Sequence, residues 1–204
     1  MKTIKTVLFM VSLFTCTLVL AQKDSSLVTN NHSPVRQLTI EPAIGIHTNF
    51  GVDLLISNLI QWNPSKHLSL ASHSSFNINN ITQRYFNGIK TDYNYSINQK
   101  FGVGTTVYTK RSSHSFLLMV GAKYTTYKET LDDERFDKVG TALSSFSPDY
   151  GVMYSLKKGW KKCFFTYRMY VPLYPFPTKG FDVLYLDGNM NNIALEFGMG
   201  IKIR

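Results

Sequence analysis

The chain has 204 residues, of which 22 are Lys or Arg and 13 are Asp or Glu, so its formal net charge is +9. Charged residues make up 17%, hydrophobic residues 44% and aromatic residues 14%, a balance that excludes a disordered chain and a coiled coil. With only two cysteines, the chain is neither a disulfide scaffold nor the holder of a zinc site with four cysteine ligands.

The N-terminus has the pattern of a cleavable signal peptide. Lys2 and Lys5 form a positively charged start, an apolar stretch follows, and Ala21 is a small residue at the cleavage site. A single transmembrane anchor is the alternative, but the apolar stretch is shorter than the roughly 20 residues that a spanning helix needs. We predict a signal peptide at 1–21 and a flexible polar arm at 22–35. An exported chain does not ordinarily meet nucleic acid, so we predict no nucleic-acid partner.

Beyond the arm, apolar residues alternate with polar or small ones at a period of two, which is typical of strands with two different faces. In the last strand, for example, Leu195 and Phe197 flank Glu196, and Met199 follows Gly198. The pattern predicts strands at 36–47, 52–62, 67–78, 91–109, 115–127, 143–156, 161–172 and 193–204. Most are roughly 10–15 residues long, against about five or six in soluble proteins. A tilted strand needs about 9–11 residues to cross a bilayer.

The connections between these strands differ in length at the two ends. Short turns are predicted at 63–66, 110–114 and 157–160, and long loops at 79–90, 128–141 and 173–190. The connection at 48–51 is short although it falls on the long-loop side. Short turns at one end and long loops at the other are typical of outer-membrane barrels. With both termini at the short-turn end, the strand number must be even, and eight satisfies this condition.

A secreted β-sandwich is the alternative, because its strands also alternate and turn an apolar face toward a shared core. The strand length, the unequal loops and aromatic residues near strand ends favour the barrel, since such aromatics form girdles at the membrane interfaces. These aromatics are Trp62, Phe76, Tyr93, Tyr95, Phe116, Tyr124, Phe146 and Tyr154. We predict an all-β fold, an eight-stranded antiparallel transmembrane β-barrel over residues 36–204.

This pattern resembles the small eight-stranded outer-membrane barrels of Gram-negative bacteria, and the resemblance covers 36–204. The segment Leu195–Ile203 is similar to the closing strand that such proteins present to the barrel assembly machinery. The family often ends in an aromatic residue, whereas this chain ends in Arg204. The end of the signal peptide and the richness in aromatic residues and Asn are similar to Bacteroidetes proteins.

The resemblance implies a place in the outer membrane, with its lipids and the assembly machinery as partners. It also implies that the long loops meet an extracellular partner, which the sequence does not identify. Barrels of this kind include adhesins, lipid enzymes and structural anchors. We therefore predict a non-enzymatic barrel whose loops serve surface interaction or envelope integrity.

A lipid-modifying enzyme is the alternative function. Lipid A deacylases are small outer-membrane barrels with a catalytic His and Ser two positions apart on a strand, and His73 and Ser75 have this spacing. However, Phe76 stands where that family has Asn, and no matching Glu lies on the following strand. The alternation also points His73 and Ser75 into the barrel, whereas the family's site faces the lipid. We interpret both as polar filler of the interior.

The sequence indicates no metal site and no cofactor. His67 and His73 share a predicted face but lie on the order of 20 Å apart along the strand. Gly102 and Gly104 imitate part of a dinucleotide motif, but no helix is predicted after them. Cys163 falls on the lipid-facing side, where it packs as a small apolar residue.

Basic residues gather in the short turns and at their edges, where they would meet lipid headgroups or simply water. They are Lys66, Lys110, Arg111, Lys157, Lys158, Lys161 and Lys162.

An eight-stranded barrel leaves an interior just wide enough for side chains, so charges inside it need partners. The alternation points four charged residues inward: Lys123, Asp149, Arg168 and Glu196. A hairpin centred on Lys158-Gly159 would set Asp149 opposite Arg168. We predict a charge-paired plug and no stable open channel.

Overall fold

The computed structural model describes residues 37–48, 52–65, 67–79, 81, 85–86, 89–109, 111–131, 140–160, 162–173 and 193–203. The predicted signal peptide, the polar arm and most of the predicted loop at 173–190 lie outside the described residues. No helix among the described residues is long and apolar enough to cross a membrane.

Strands make up almost all of the described chain. They are β1 (Gln37–Thr48), β2 (Val52–Asn63), β3 (Ser69–Ile78), β4 (Tyr85–Phe86), β5 (Ile89–Tyr108), β6 (Ser112–Leu131), β7 (Gly140–Trp160), β8 (Cys163–Pro172) and β9 (Ile193–Lys202). These elements form because β-branched and aromatic residues recur at every second position, which suits a pleated surface with two different faces.

The strands form one antiparallel sheet in the order β3-β2-β1-β9-β8-β7-β6-β5-β4. A further pairing between β3 and β5 closes this sheet into a ring of eight strands. The two-residue β4 lies outside the ring and pairs only with the start of β5. The prediction of an all-β, eight-stranded antiparallel barrel is therefore confirmed.

Three strands are longer than the side-chain pattern predicts. β5 has 20 residues, β6 has 20 and β7 has 21. The predicted loop at 128–141 is too wide, because β6 runs to Leu131 and β7 starts at Gly140. The predicted loop at 79–90 contains β4 and the first residues of β5. Backbone pairing continues at these strand ends although the apolar alternation has already stopped.

The turn between β7 and β8 also differs from the prediction. Trp160 pairs with Cys163, so the chain reverses after Trp160 and not within 157–160. Gly159 is a strand residue, and a Cβ atom there would lie 2.6 Å from the Cα of Phe164. This glycine therefore permits a close approach of two strands rather than a chain reversal.

The two faces of the barrel differ in chemistry. Outward positions carry exposed apolar side chains on all eight strands of the ring, among them Ile44, Ile56, Phe76, Phe101, Leu118, Phe146, Phe165 and Phe197. Inward positions are mostly polar or charged and are buried. The interior also holds an apolar cluster of Leu55, Leu59, Leu117, Met119 and Met153, which the sequence analysis did not anticipate.

The barrel is strongly staggered. A path of paired residues leaves β1 at His47 and passes through Ala194, Tyr170, Met153, Leu117, Gly104 and Ser69. Next to Ser69, Leu70 pairs with Trp62, which pairs with Leu38 of β1. The path thus returns to β1 about ten residues from its start, so residues at equal positions along their strands are not neighbours.

Candidate functional site

The interior of the barrel concentrates the buried charges of the described chain. Four carboxylates, four cations and one histidine are buried there: Glu41, Asp53, Asp149, Glu196, Lys100, Lys123, Lys157, Arg168 and His73. Opposite charges are equal in number, so this set carries no net charge while His73 is neutral. A buried charge is tolerated only when it is paired and hydrogen-bonded, and the contacts of these side chains form three groups.

The first group surrounds Glu196 on β9. The Nη2 atom of Arg168 lies 2.8 Å from Glu196 Oε2, and the hydroxyl of Ser57 donates to the same oxygen over 2.6 Å. His73 Nε2 lies 3.1 Å from the other carboxylate oxygen. Ser57 of β2, His73 of β3 and Arg168 of β8 thus converge on one carboxylate. Of the three, Arg168 is the direct cross-strand partner of Glu196.

The second group surrounds Glu41 on β1. Lys157 donates to this carboxylate, Thr39 donates to it over 2.7 Å, and Thr166 donates over 3.1 Å. Arg168 joins the two groups, since its Nη1 donates over 3.2 Å to the backbone oxygen of Glu41. The two groups therefore form one connected network across the interior.

The third group surrounds Asp149 on β7. Lys100 Nζ lies 2.8 Å from its carboxylate, and Asn98 and Tyr170 donate to the same side chain. The ammonium of Lys100 also stands 3.6 Å above the ring of Tyr170, a favourable cation–π contact. Lys123 is buried nearby, where its charge interacts with Asp149, Lys100 and Asp53.

Uncharged polar side chains continue the network toward the short-turn end. The Nε2 atom of Gln61 lies 2.9–3.0 Å from side-chain oxygens of Asn63, Thr106 and Ser115, and its two N–H groups are shared among them. Asn63 donates in turn to Tyr108 over 2.6 Å. Amides serve here because one side chain can bridge several strands without introducing a charge.

The structure places Lys123, Asp149, Arg168 and Glu196 inside the barrel, but the predicted pairing of Asp149 with Arg168 is wrong. Ser155 is the cross-strand partner of Arg168, because the β7–β8 turn lies about three residues beyond the predicted one. Arg168 binds Glu196, and Asp149 binds Lys100.

Lys157 is a second correction. The sequence analysis places it in a short turn facing headgroups, whereas the structure buries it against Glu41. Because a turn was predicted at 157–160, Lys157 was not assigned to the inward face. In the structure β7 continues through Gly159, and Lys157 is a strand residue. Glu41 and Lys100 were also left out of the predicted network, although their alternation with apolar neighbours signals that both point inward.

His73 and Ser75, the residues of the enzyme alternative, are buried in the interior. His73 is bonded to Glu196, and Ser57 of β2 lies opposite Ser75 in the sheet. Both side chains therefore lie on the opposite side of the barrel wall from the apolar outer surface. Among the described residues, no group of three or more His, Cys, Asp or Glu is arranged to hold a metal ion.

No family model and no curated protein matches the sequence. Several solved structures show a distant likeness, including the following three. The N-terminal β-barrel domain of Pseudomonas aeruginosa OprF has a TM-score of 0.44 at 11% identity, covering 83% of this chain and 98% of that one. Ail of Yersinia pestis, solved with the heparin analogue sucrose octasulfate, has a TM-score of 0.42 at 10% identity, with coverages of 82% and 97%.

The third structure is Neisserial surface protein A, with a TM-score of 0.39 at 11% identity, covering 81% of this chain and 94% of that one. Likenesses at this level carry no argument about function, which has to come from the site itself.

Proposed function

We propose that the chain is a non-enzymatic integral protein of the outer membrane, a barrel closed inside by charge pairs that presents its long loops to the exterior. Its role is then surface interaction or envelope integrity, and not solute passage. The observation that carries this proposal is a distribution of side chains opposite to that of a soluble protein. Charged side chains are buried inside, and large apolar side chains are exposed outside.

The outer surface supports a bilayer location. Phe101, Val120 and Phe165 each expose about two thirds of their surface, and an apolar band over all eight strands exceeds what a soluble monomer ordinarily exposes. A closed ring of strands has no open sheet edge. Open sheet edges do not occur in the hydrocarbon region of a bilayer, because their backbone groups would have no hydrogen-bond partners there.

The filled interior supports a closed barrel. Arg168, Glu41 and Glu196 are at most 1% exposed, so water reaches almost none of their surface. An open channel would instead be lined by hydrated side chains. The enzyme alternative receives no support from this geometry, because the acyl chains of a lipid lie outside the wall that encloses His73.

Heat modifiability tests the membrane barrel. We expect the protein in the outer-membrane fraction, and unboiled samples to migrate differently from boiled ones on a denaturing gel, because a closed sheet resists the detergent until it is heated. Protein in the culture supernatant, or equal mobility before and after boiling, would contradict the proposal.

Conductance tests the closed interior. We expect the purified barrel in a planar bilayer to produce no conductance steps, because its charges are paired across the space that ions would occupy. Insertion is verified by the heat shift of protein recovered from the same preparation. Large, steady steps from inserted protein would exclude the closed barrel while leaving the membrane location intact.

A further inference from the structure

Two oxygen atoms deep in the interior have no hydrogen-bond partner among the described residues, namely Gln61 Oε1 and Ser155 Oγ. Both side chains are fully buried, with 0% of their surface exposed. They come from opposite sides of the ring, since β2 and β7 are four strands apart in either direction. A buried polar atom without a partner is costly, so two such atoms in one interior need an explanation.

The Gln61 amide is bonded through only one of its two branches. Its Nε2 atom lies 2.9–3.0 Å from side-chain oxygens of Asn63, Thr106 and Ser115. These contacts occupy the nitrogen branch and hold the amide in place across the interior. The oxygen branch is left as an acceptor that no donor of the described chain reaches.

Ser155 lies beside this amide. Ser115 Oγ is 3.0 Å from Gln61 Nε2, and Ser155 is the direct cross-strand partner of Ser115. Directly opposed residues have Cβ atoms about 4.5–5.5 Å apart, and bond lengths set the two ends of an amide about 2.3 Å apart. A molecule placed between Gln61 and Ser155 can therefore bond to both, although they do not bond to each other.

Arg168 supplies a third group on the other side of Ser155. The two residues are direct cross-strand partners, and Arg168 is fully buried. Its Nη atoms are bonded to Glu196, to Ser57 and to the backbone of Glu41, whereas its Nε atom has no partner among the described residues. The three groups offer an acceptor, a donor and a hydroxyl that can act as either. We call them the central polar site.

The central polar site is enclosed along the barrel axis. The next inward positions toward the long loops carry Leu59 on β2 and Met153 on β7, two members of the apolar cluster that are fully buried. The next inward position toward the short turns on β7 carries Lys157, which is paired with Glu41. A molecule at this place would therefore have to be small and would exchange slowly with the solvent.

We propose that the central polar site binds one water molecule, which accepts the Nε–H of Arg168, donates to Gln61 Oε1 and bonds to the Ser155 hydroxyl. Water both donates and accepts, and internal waters typically make about three hydrogen bonds. A cation would be repelled by the guanidinium, and an anion would face the amide oxygen. Through Arg168 this water would join the groups around Glu196 and Glu41 to the amide network at the short-turn end.

A crystal structure at a resolution that shows ordered water tests the site directly. We expect a density peak about 2.7–3.2 Å from Gln61 Oε1, Ser155 Oγ and Arg168 Nε, the range of ordinary hydrogen bonds. The inference is overturned if no peak is present there. A peak about 2.3–2.6 Å from the oxygens would also overturn it, because this distance indicates a metal cation.

Two variants show whether the peak depends on the site. Ser155→Val removes the hydroxyl and fills the space with methyl groups, so we expect the peak to be lost while the heat shift is retained. Ser147→Val is the matched control, because Ser147 is also buried on the inward face of β7 but lies toward the long loops, and we expect it to keep the peak. A peak that persists in Ser155→Val, or that Ser147→Val removes, would contradict the assignment. If Ser155→Val does not fold, the density of the wild-type protein decides.

The inference goes beyond the proposed function and has a separate test. The density inside the barrel decides the water, whereas the heat shift and the conductance decide the membrane barrel and its closed interior. A barrel that shows the heat shift but no peak would overturn only the water site. Protein that shows the peak but is found in the culture supernatant would overturn only the membrane location.

Discussion

Arg168 connects the Glu196 group and the Glu41 group of the interior. It is fully buried and bonds to Glu196, to Ser57 and to the backbone of Glu41. Its guanidinium suits this position because it offers several donors in a fixed plane, which a lysine does not. We therefore expect substitutions at this position to change the stability of the barrel.

We predict that Arg168→Ala destabilises the barrel by about 3–5 kcal/mol, because it leaves Glu196 buried without its cation. Urea unfolding of the detergent-folded protein measures this loss. Lys128→Ala is the matched control, since its ion pair with Asp92 spans 3.7 Å and is partly exposed, and such pairs contribute less than about 1 kcal/mol. The double variant Arg168→Ala with Glu196→Gln should recover part of the lost stability. Equal urea midpoints for Arg168→Ala and Lys128→Ala would contradict the prediction.

At the scale of elements, the register of the β7–β8 hairpin decides which charges meet. Tyr154 pairs with Met169 and Ser155 with Arg168, so a shift of a few residues would bring different side chains together inside the barrel. A one-residue shift would even move them to the other face.

We predict that Tyr154→Cys combined with Met169→Cys forms a disulfide in a Cys163→Ser background. Directly opposed residues in an antiparallel pair have Cα atoms about 4.5–5.5 Å apart, which a disulfide can span. Tyr154→Cys with Val171→Cys is the control, because Val171 lies opposite Val152. Mass spectrometry of the oxidised protein measures the bond. Preferential linkage of the control pair would show that the register is shifted.

Considered as a whole molecule, the barrel carries a group of exposed cations at its short-turn end. Arg111, Lys158, Lys162 and Lys202 are exposed at the short-turn end, whereas Lys157 has been withdrawn into the interior. Exposed cations beside a membrane attract anionic headgroups by about 1 kcal/mol each.

We predict that replacing these four cations by Gln lowers the yield of folded barrel in vesicles containing phosphatidylglycerol, and that the difference disappears at high salt because the attraction is screened. The heat-shifted gel band measures the yield. Lys128→Gln, a change on β6 far from the short turns, is the control. A similar loss in purely zwitterionic vesicles would show that the four residues act on folding itself.

The architecture could be predicted from the sequence because the signal is local. Alternation along each strand separates an apolar face from a polar one. This pattern predicted eight antiparallel strands and the inward side of four charged residues, but not that of Lys157 or of the interior apolar cluster. Lys123, Asp149, Arg168 and Glu196 lie inside the barrel for this reason. The proposed signal peptide and arm stay predictions.

The partners of the inward charges could not be predicted from the local pattern. Partner choice depends on the position of each turn and on the stagger accumulated around the ring, and both are set by contacts between distant segments. Asp149 meets Lys100 and Arg168 meets Glu196, although a turn placed at Lys158-Gly159 had joined Asp149 to Arg168. In the same way, Asn58, Ser74 and Gln99 form one row only after β2, β3 and β5 are paired.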